Sequence, residues 1–133
     1  FFADRYYGYD DAIYAAVRLL DLLVRSKQTL SELSSKLPRT YNTPELRFPC
    51  DDDMKFKVVE RVSRRLQNVT GVEISLIDGV RVTTSDGWWL LRASNTQPVI
   101  VARCEARCED RLDRLKVALR EEMRRCGIEV PNF

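Results

Sequence analysis

Arg92, Ser94, Asn95, Thr96 and Gln97 crowd the short stretch R-A-S-N-T-Q-P, Arg92 to Pro98, with apolar strand-like sequence on both sides. An arginine offers a planar fork of donors that matches two phosphate oxygens at once. The Ser94 and Thr96 hydroxyls and the Asn95 amide can donate to the remaining oxygens. Asn95 also tolerates left-handed backbone angles, which would let successive backbone amides converge on an anion. Arg103 and Gln97 stand close enough in sequence to support such a site, Arg103 from the following strand. None of these side chains is a good base or nucleophile at neutral pH. The stretch is equipped to hold a phosphate, whereas bond breaking would need other groups. On these residues alone, a polar inter-strand turn with its arginine in solvent remains the alternative.

Other chemistry-bearing residues point elsewhere. Asp51-Asp52-Asp53 has no second carboxylate cluster to complete a magnesium or calcium site, and helix capping explains it better. Asp10 and Asp11 open an apolar-striped segment and take the same reading. Cys50, Cys104, Cys108 and Cys126 form no C-x-x-C pair and histidine is absent, so zinc is not expected and reduced thiols are. Trp88 and Trp89 are neighbours on a strand and must face opposite ways, which makes packing the expected role for both. The net charge is +2, from 22 basic and 20 acidic residues interspersed through the chain. That balance disfavours nucleic acid as a partner. The chain lacks the run of about 18 apolar residues that would suggest a membrane span.

The elements that must position the polar stretch follow from periodicity. Ile13, Val17, Leu20 and Val24 predict a helix over 10–26, and Thr29-x-x-Glu32 is a capping box for a second over 30–36. Two prolines then mark a linker, residues 38–44. Leu46 and Phe48 alternate in a short strand over 45–50, and a helix follows from Asp51 to about Asn68, with Phe56, Val59 and Leu66 among its apolar positions. Strands at 73–77, 80–84 and 88–93 are joined by Asp78-Gly79 and Asp86-Gly87, hairpin signals in which both residues are expected at positive φ. A further strand covers 99–104. Leu112, Leu115, Leu119 and Met123 predict a closing helix over 109–125, with Gly127 as its stop. The outcome is an α+β domain, a mainly antiparallel sheet flanked by two helices, following two helices too few to close a core of their own.

Four stretches, F-F-A-D-R-Y-Y-G-Y-D-D-A-I-Y-A-A, Y-N-T-P-E-L-R, D-G-V-R-V-T-T-S-D-G-W-W-L-L-R-A-S-N-T-Q-P and the helix after it, resemble the C-terminal part of the α-D-phosphohexomutases. The bacterial phosphomannomutase/phosphoglucomutase group is the nearest in pattern. The resemblance implies a fourth domain over 45–133, TATA-binding-protein-like, with a four-stranded sheet and two flanking helices. It implies that 1–37 are the last helices of a third domain and 38–44 a hinge. It further implies that Arg92, Ser94, Asn95 and Thr96 bind the phosphate of a mannose or glucose 1- or 6-phosphate. The phosphoserine nucleophile and the Mg2+ loop would belong to other domains of the same chain, so the segment alone would be inactive and hold no metal. A cytoplasmic location goes with that reading. Many family members carry Gly where this chain has Asn95 and Glu where it has Gln97. The alternatives are a phosphoglucosamine mutase, or a non-catalytic interaction module of the same fold. A serine nucleophile loop and an Asp-rich metal loop upstream would separate the enzyme from the module.

Overall fold

The computed structural model describes residues 2–130 and 133. The chain divides into two compact units, 1–38 and 39–133.

The first unit holds α1 (Ala12–Ser26) and α2 (Leu30–Ser35). Asp11 caps α1, its carboxylate accepting from the Tyr14 amide at 2.8 Å and from the Tyr6 hydroxyl at 2.8 Å. Those two bonds hold the Asp11 carboxyl below its ordinary pKa, the amide contributing most. The capping box of α2 forms, with the Thr29 hydroxyl accepting from the Glu32 amide and the Glu32 carboxylate accepting from the Thr29 amide. No residue of α1 is buried, and its apolar stripe lies open, with Ile13 80% and Leu20 61% exposed.

The second unit is one antiparallel sheet with two helices. Its strands are β1 (Tyr41–Asn42), β2 (Leu46–Pro49), β3 (Glu73–Ser75), β4 (Val80–Thr83), β5 (Gly87–Ala93) and β6 (Val99–Ala106); its helices are α3 (Asp52–Leu66) and α4 (Glu109–Arg125). The α+β class and the antiparallel sheet are as expected. The far edge of β6 carries β2, the short strand expected over 45–50, and also β1, which was not expected, so the sheet has six strands where a four-stranded one was expected. The unpaired groups of β6 account for this, since they recruit the chain as it enters the unit. Asn42 pairs with Glu105 and Phe48 with Ile100. Between them the Thr43 amide donates to the Cys104 carbonyl at 3.0 Å, and the Cys104 amide donates to the Thr43 hydroxyl at 3.1 Å. The segment 38–44, expected as a linker, is therefore pinned to the sheet from Tyr41 onward.

The core lies between one sheet face and the helices. Phe48, Trp89, Leu91, Ile100, Ala102 and Cys104 meet Val58, Val62 and Leu66 of α3 and Leu115, Leu119 and Met123 of α4. Phe56 is 54% exposed, because the stripe of α3 runs through Lys55, Val58, Val62 and Leu66 instead. Asp51 precedes α3, but its side chain accepts no backbone amide there; Asp52 and Asp53 occupy the first turn, where carboxylates meet the positive end of the helix dipole.

Both hairpins form, but not as two-residue Asp-Gly turns. Lys27 is the sole non-glycine residue at positive φ among the described residues, so Asp78 and Asp86 are not. The first connection runs from Leu76 to Gly79. In the second, Thr84 and Gly87 exchange backbone hydrogen bonds of 2.8 and 3.3 Å, which makes Ser85 and Asp86 the turn and Gly87 the first residue of β5. The glycines are needed for close approach. A Cβ on Gly79 would stand 2.3 Å from the Leu91 carbonyl oxygen, and one on Gly87 2.2 Å from that of Glu105.

Candidate functional site

Register alone sorts the sheet residues by face. Directly opposed residues in an antiparallel pair share a face, and successive residues alternate. Trp89, Leu91 and Ala93 of β5 face the helices. Trp88, Leu90 and Arg92 therefore face away, and the pairs Arg92–Val101 and Leu90–Arg103 put Arg103 there too. Arg47 of β2 opposes the same Val101 from the other side, and Arg81 of β4 opposes Leu90. The face without helices thus carries Arg47, Arg81, Arg92 and Arg103. Val101, only 4% exposed although outside the core, sits between Arg47 and Arg92. Long arginine stems can cover such a residue while their charged ends stay in water. Trp89 is buried at 2%, whereas Trp88 lies under the Arg81 guanidinium at 4.5 Å from its ring centre. Both tryptophans pack, as expected.

The loop after β5 stands at one end of this face. Its base is closed by the Ser94 amide donating to the Val99 carbonyl at 3.0 Å. Within it, the Ser94 hydroxyl oxygen accepts from the Thr96 and Gln97 amides at 3.4 and 3.2 Å. These bonds shape the turn, and Asn95 accordingly keeps a negative φ in place of the left-handed conformation expected for it. The amides of Thr96 and Gln97 are turned inward, so the expected nest of free amides is not formed. What remains outward is side-chain chemistry. The Ser94 hydroxyl keeps its proton for donation. The Thr96 hydroxyl and Asn95 amide are exposed and have no hydrogen-bond partner among the described residues.

The three expected arginine and amide contributors differ in what already holds them. Arg92, half-buried, has its nearest counter-charge in Asp78, 3.6 Å away. Arg103 makes no ion pair among the described residues and donates only to the Asn42 side chain, at 3.4 Å. Gln97 points its side chain at Arg47, its oxygen accepting from that guanidinium, while Arg47 also pairs with Glu45 at 2.7 Å. Gln97 is thus engaged in holding the loop.

Two residues near the loop went unnoticed in the sequence, Arg47 and Lys55. Alternation of Leu46, Arg47 and Phe48 carried the signal for the first: if Phe48 is inside, Arg47 lies on the outer face. Lys55 occupies the apolar stripe of α3, three residues before Val58. It is 3% exposed, and its ammonium donates to Asp52 Oδ1 at 2.6 Å and to the Gln97 carbonyl at 3.0 Å. Cys50 adds a backbone bond, its amide donating to the Pro98 carbonyl at 3.0 Å. Its thiol is pushed up in pKa by burial and then by the Asp51 charge, so it stays protonated at neutral pH and is a poor nucleophile.

Electrostatics decide where an anion can sit. A cavity of about 280 Å3 beside Asn95 is floored by Phe56, Val59 and Leu76 but also lined by Glu60 and Asp78. Two carboxylates repel a phosphate there. On the outer sheet face Arg92 and Arg103 are diagonal neighbours, and that end of the sheet is the more basic of the two. Among the described residues no three His, Cys, Asp or Glu side chains gather as metal ligands. No helix among them is long and apolar enough to cross a membrane.

Residues 45–122 match the family described as phosphoglucomutase/phosphomannomutase, C-terminal domain. A phosphomannomutase/phosphoglucomutase of Pseudomonas aeruginosa is 39% identical over 131 residues, 98% of this chain and 28% of the relative. A phosphoglucomutase of Neisseria gonorrhoeae is 38% identical over 117 residues, 87% of this chain and 25% of the relative. A crystal structure of a phosphoglucomutase/phosphomannomutase family protein from Burkholderia thailandensis superposes with a TM-score of 0.80 at 36% identity, over 99% of this chain and 28% of that one. The chain spans about a quarter of the length of these relatives. In sequence and in fold alike, it belongs to the phosphoglucomutase/phosphomannomutase family.

Proposed function

We propose that this chain supplies the substrate-phosphate grip of a hexose-phosphate mutase acting on mannose or glucose phosphates. The observation that carries the reading is the exposed loop Ser94–Gln97 at the edge of an arginine-bearing sheet face, with donors outward and no competent nucleophile beside it. In the reaction the resemblance implies, a phosphoserine gives its phosphoryl group to a hydroxyl of the sugar phosphate. The resulting bisphosphate turns over, and its other phosphoryl group returns to the serine. An intermediate held in either orientation is best gripped by a group common to both, which is phosphate.

Arg92 would supply the paired donors, and Ser94, Asn95 and Thr96 single ones. Asp78 would give up Arg92 as the phosphate arrives, and Arg103 would add attraction from the next strand. The serine nucleophile and Mg2+ belong, in this reading, to other domains, with residues 1–37 as the end of the domain before this one. Magnesium supplies charge neutralisation at the transferring phosphoryl group when bound there. The reading is tested by Arg92→Ala in the full-length protein. Its kcat/KM for mannose or glucose 1-phosphate should fall by about 1.5–3 kcal/mol in transition-state terms, the range for a hydrogen bond to a charged group. Unchanged kinetics would contradict the role.

A further inference from the structure

Half of the loop is free and half is clamped. Ser94, Asn95 and Thr96 are held only through Ser94, while Gln97 and Pro98 are tied to the segment from Arg47 to Lys55. The Arg47 guanidinium holds the Gln97 side chain, the Cys50 amide holds the Pro98 carbonyl, and the Lys55 ammonium holds the Gln97 carbonyl. Of these three, Lys55 is the unexpected one. A lysine on the core-facing stripe of a helix is expensive to bury, and burial to 3% exposure demands partners. Its hydrogen-bond partners are Asp52, one turn earlier on α3 and itself 71% exposed at the side chain, and the loop carbonyl, and the Phe56 ring centre lies 5.3 Å from the ammonium. Asp52 is already able to meet solvent, so it does not require the lysine. The contact that a long donor at this place adds is the one to the loop.

We propose that Lys55 is the positioning residue of the phosphate loop. Resting on the phosphate-grip reading above, this deepens it by naming what keeps the grip in shape. The Gln97 carbonyl accepts from the Val99 amide at 2.8 Å within the loop, and the ammonium, at 3.0 Å, ties that same carbonyl to α3. The Gln97 amide is fixed in turn on the Ser94 hydroxyl, so the tie to α3 bears on the direction of the donors at Ser94, Asn95 and Thr96. A cation beneath the loop also favours a phosphate above it. Lys55 touches no substrate in this arrangement and acts only through the loop.

The test uses the 133-residue chain with Lys55→Met, which keeps the length of the stem and removes the charge, and Lys55→Gln, which restores a donor without charge. Backbone 15N relaxation reads the loop, and titration with inorganic phosphate reads the grip. In the wild type the order parameters of residues 94–97 should stand near the rigid value of about 0.85, and in Lys55→Met they should fall below about 0.6 while the strands stay unchanged. Phosphate affinity should drop about tenfold, as expected for losing one charged hydrogen bond. Lys55→Gln should recover the order but not all of the affinity. Unchanged order at 94–97 in Lys55→Met overturns the proposal, and so does a loss of order spread evenly over β5 and β6. If Lys55→Met does not fold, Lys55→Gln carries the test through the affinity, and phosphate binding there as tight as in the wild type is equally fatal. A wild-type chain that ignores phosphate, with a loop that still loosens in Lys55→Met, would instead refute the phosphate grip and leave the clamp standing.

Discussion

α1 and α4 carry the same kind of message and meet different fates. Each has an apolar stripe at helical spacing with charged residues opposite. In α4 the stripe closes the core, with Leu115, Leu119 and Met123 at 3% exposure or less. In α1 nothing is buried. Periodicity states that a face is apolar; it does not state what will cover it. Coverage depends on chain elsewhere, and only 39–133 contains both a sheet face and two helices to share it. A further tie reinforces α4. Arg114 makes two hydrogen bonds, 2.8 and 2.7 Å, to Asp86 in the turn before β5.

The contrast can be sharpened or broken by substitution, read as chemical or thermal unfolding of the 39–133 unit. Leu119→Ala should have the largest effect, a loss of about 2–5 kcal/mol, because a fully buried leucine leaves a cavity. Gly87→Ala should cost roughly 1–3 kcal/mol, since φ is 147° there and a Cβ would meet the Glu105 carbonyl. Asp86→Asn should matter only above a certain pH. Arg114 holds the Asp86 carboxyl below its ordinary 3.8. A depressed folded pKa gives stability that is present above the unfolded value and lost as pH falls through the folded one. The gap between wild type and Asp86→Asn should therefore be full at pH 7 and close as pH drops below 3.8; a gap that widened on acidification would refute the pairing. Leu20→Ala in α1 should change stability by no more than about 0.5 kcal/mol, as for an exposed position. A loss comparable to that of Leu119→Ala would break the contrast between the two helices.

Much of this was legible in the sequence, and the omissions have physical causes. Helices, the β3 to β6 order and the loop's place between β5 and β6 follow from period and turn residues, which are local signals. β1 was hidden because two residues are too few to show alternation, and the edge of β6 that holds them is distant in sequence. Asn95 was expected in a left-handed conformation because its residue type permits it. The Ser94 hydroxyl satisfies the turn another way, a choice made by neighbouring hydrogen bonds. Lys55 is not singled out by its residue type, although its place on the stripe of Val58, Val62 and Leu66 marks it as inward. The family resemblance supplied the expectation of a phosphate ligand, which the residues alone left balanced against a plain polar turn.

The central claim is that the loop after β5 grips a phosphate through donors it already presents. The most direct measurement is an NMR titration of this chain with mannose 1-phosphate and glucose 1-phosphate. The account predicts that at millimolar ligand the amide signals of Ser94 to Gln97 move while those of α1 do not. No movement at Ser94 to Gln97 at those concentrations would contradict it.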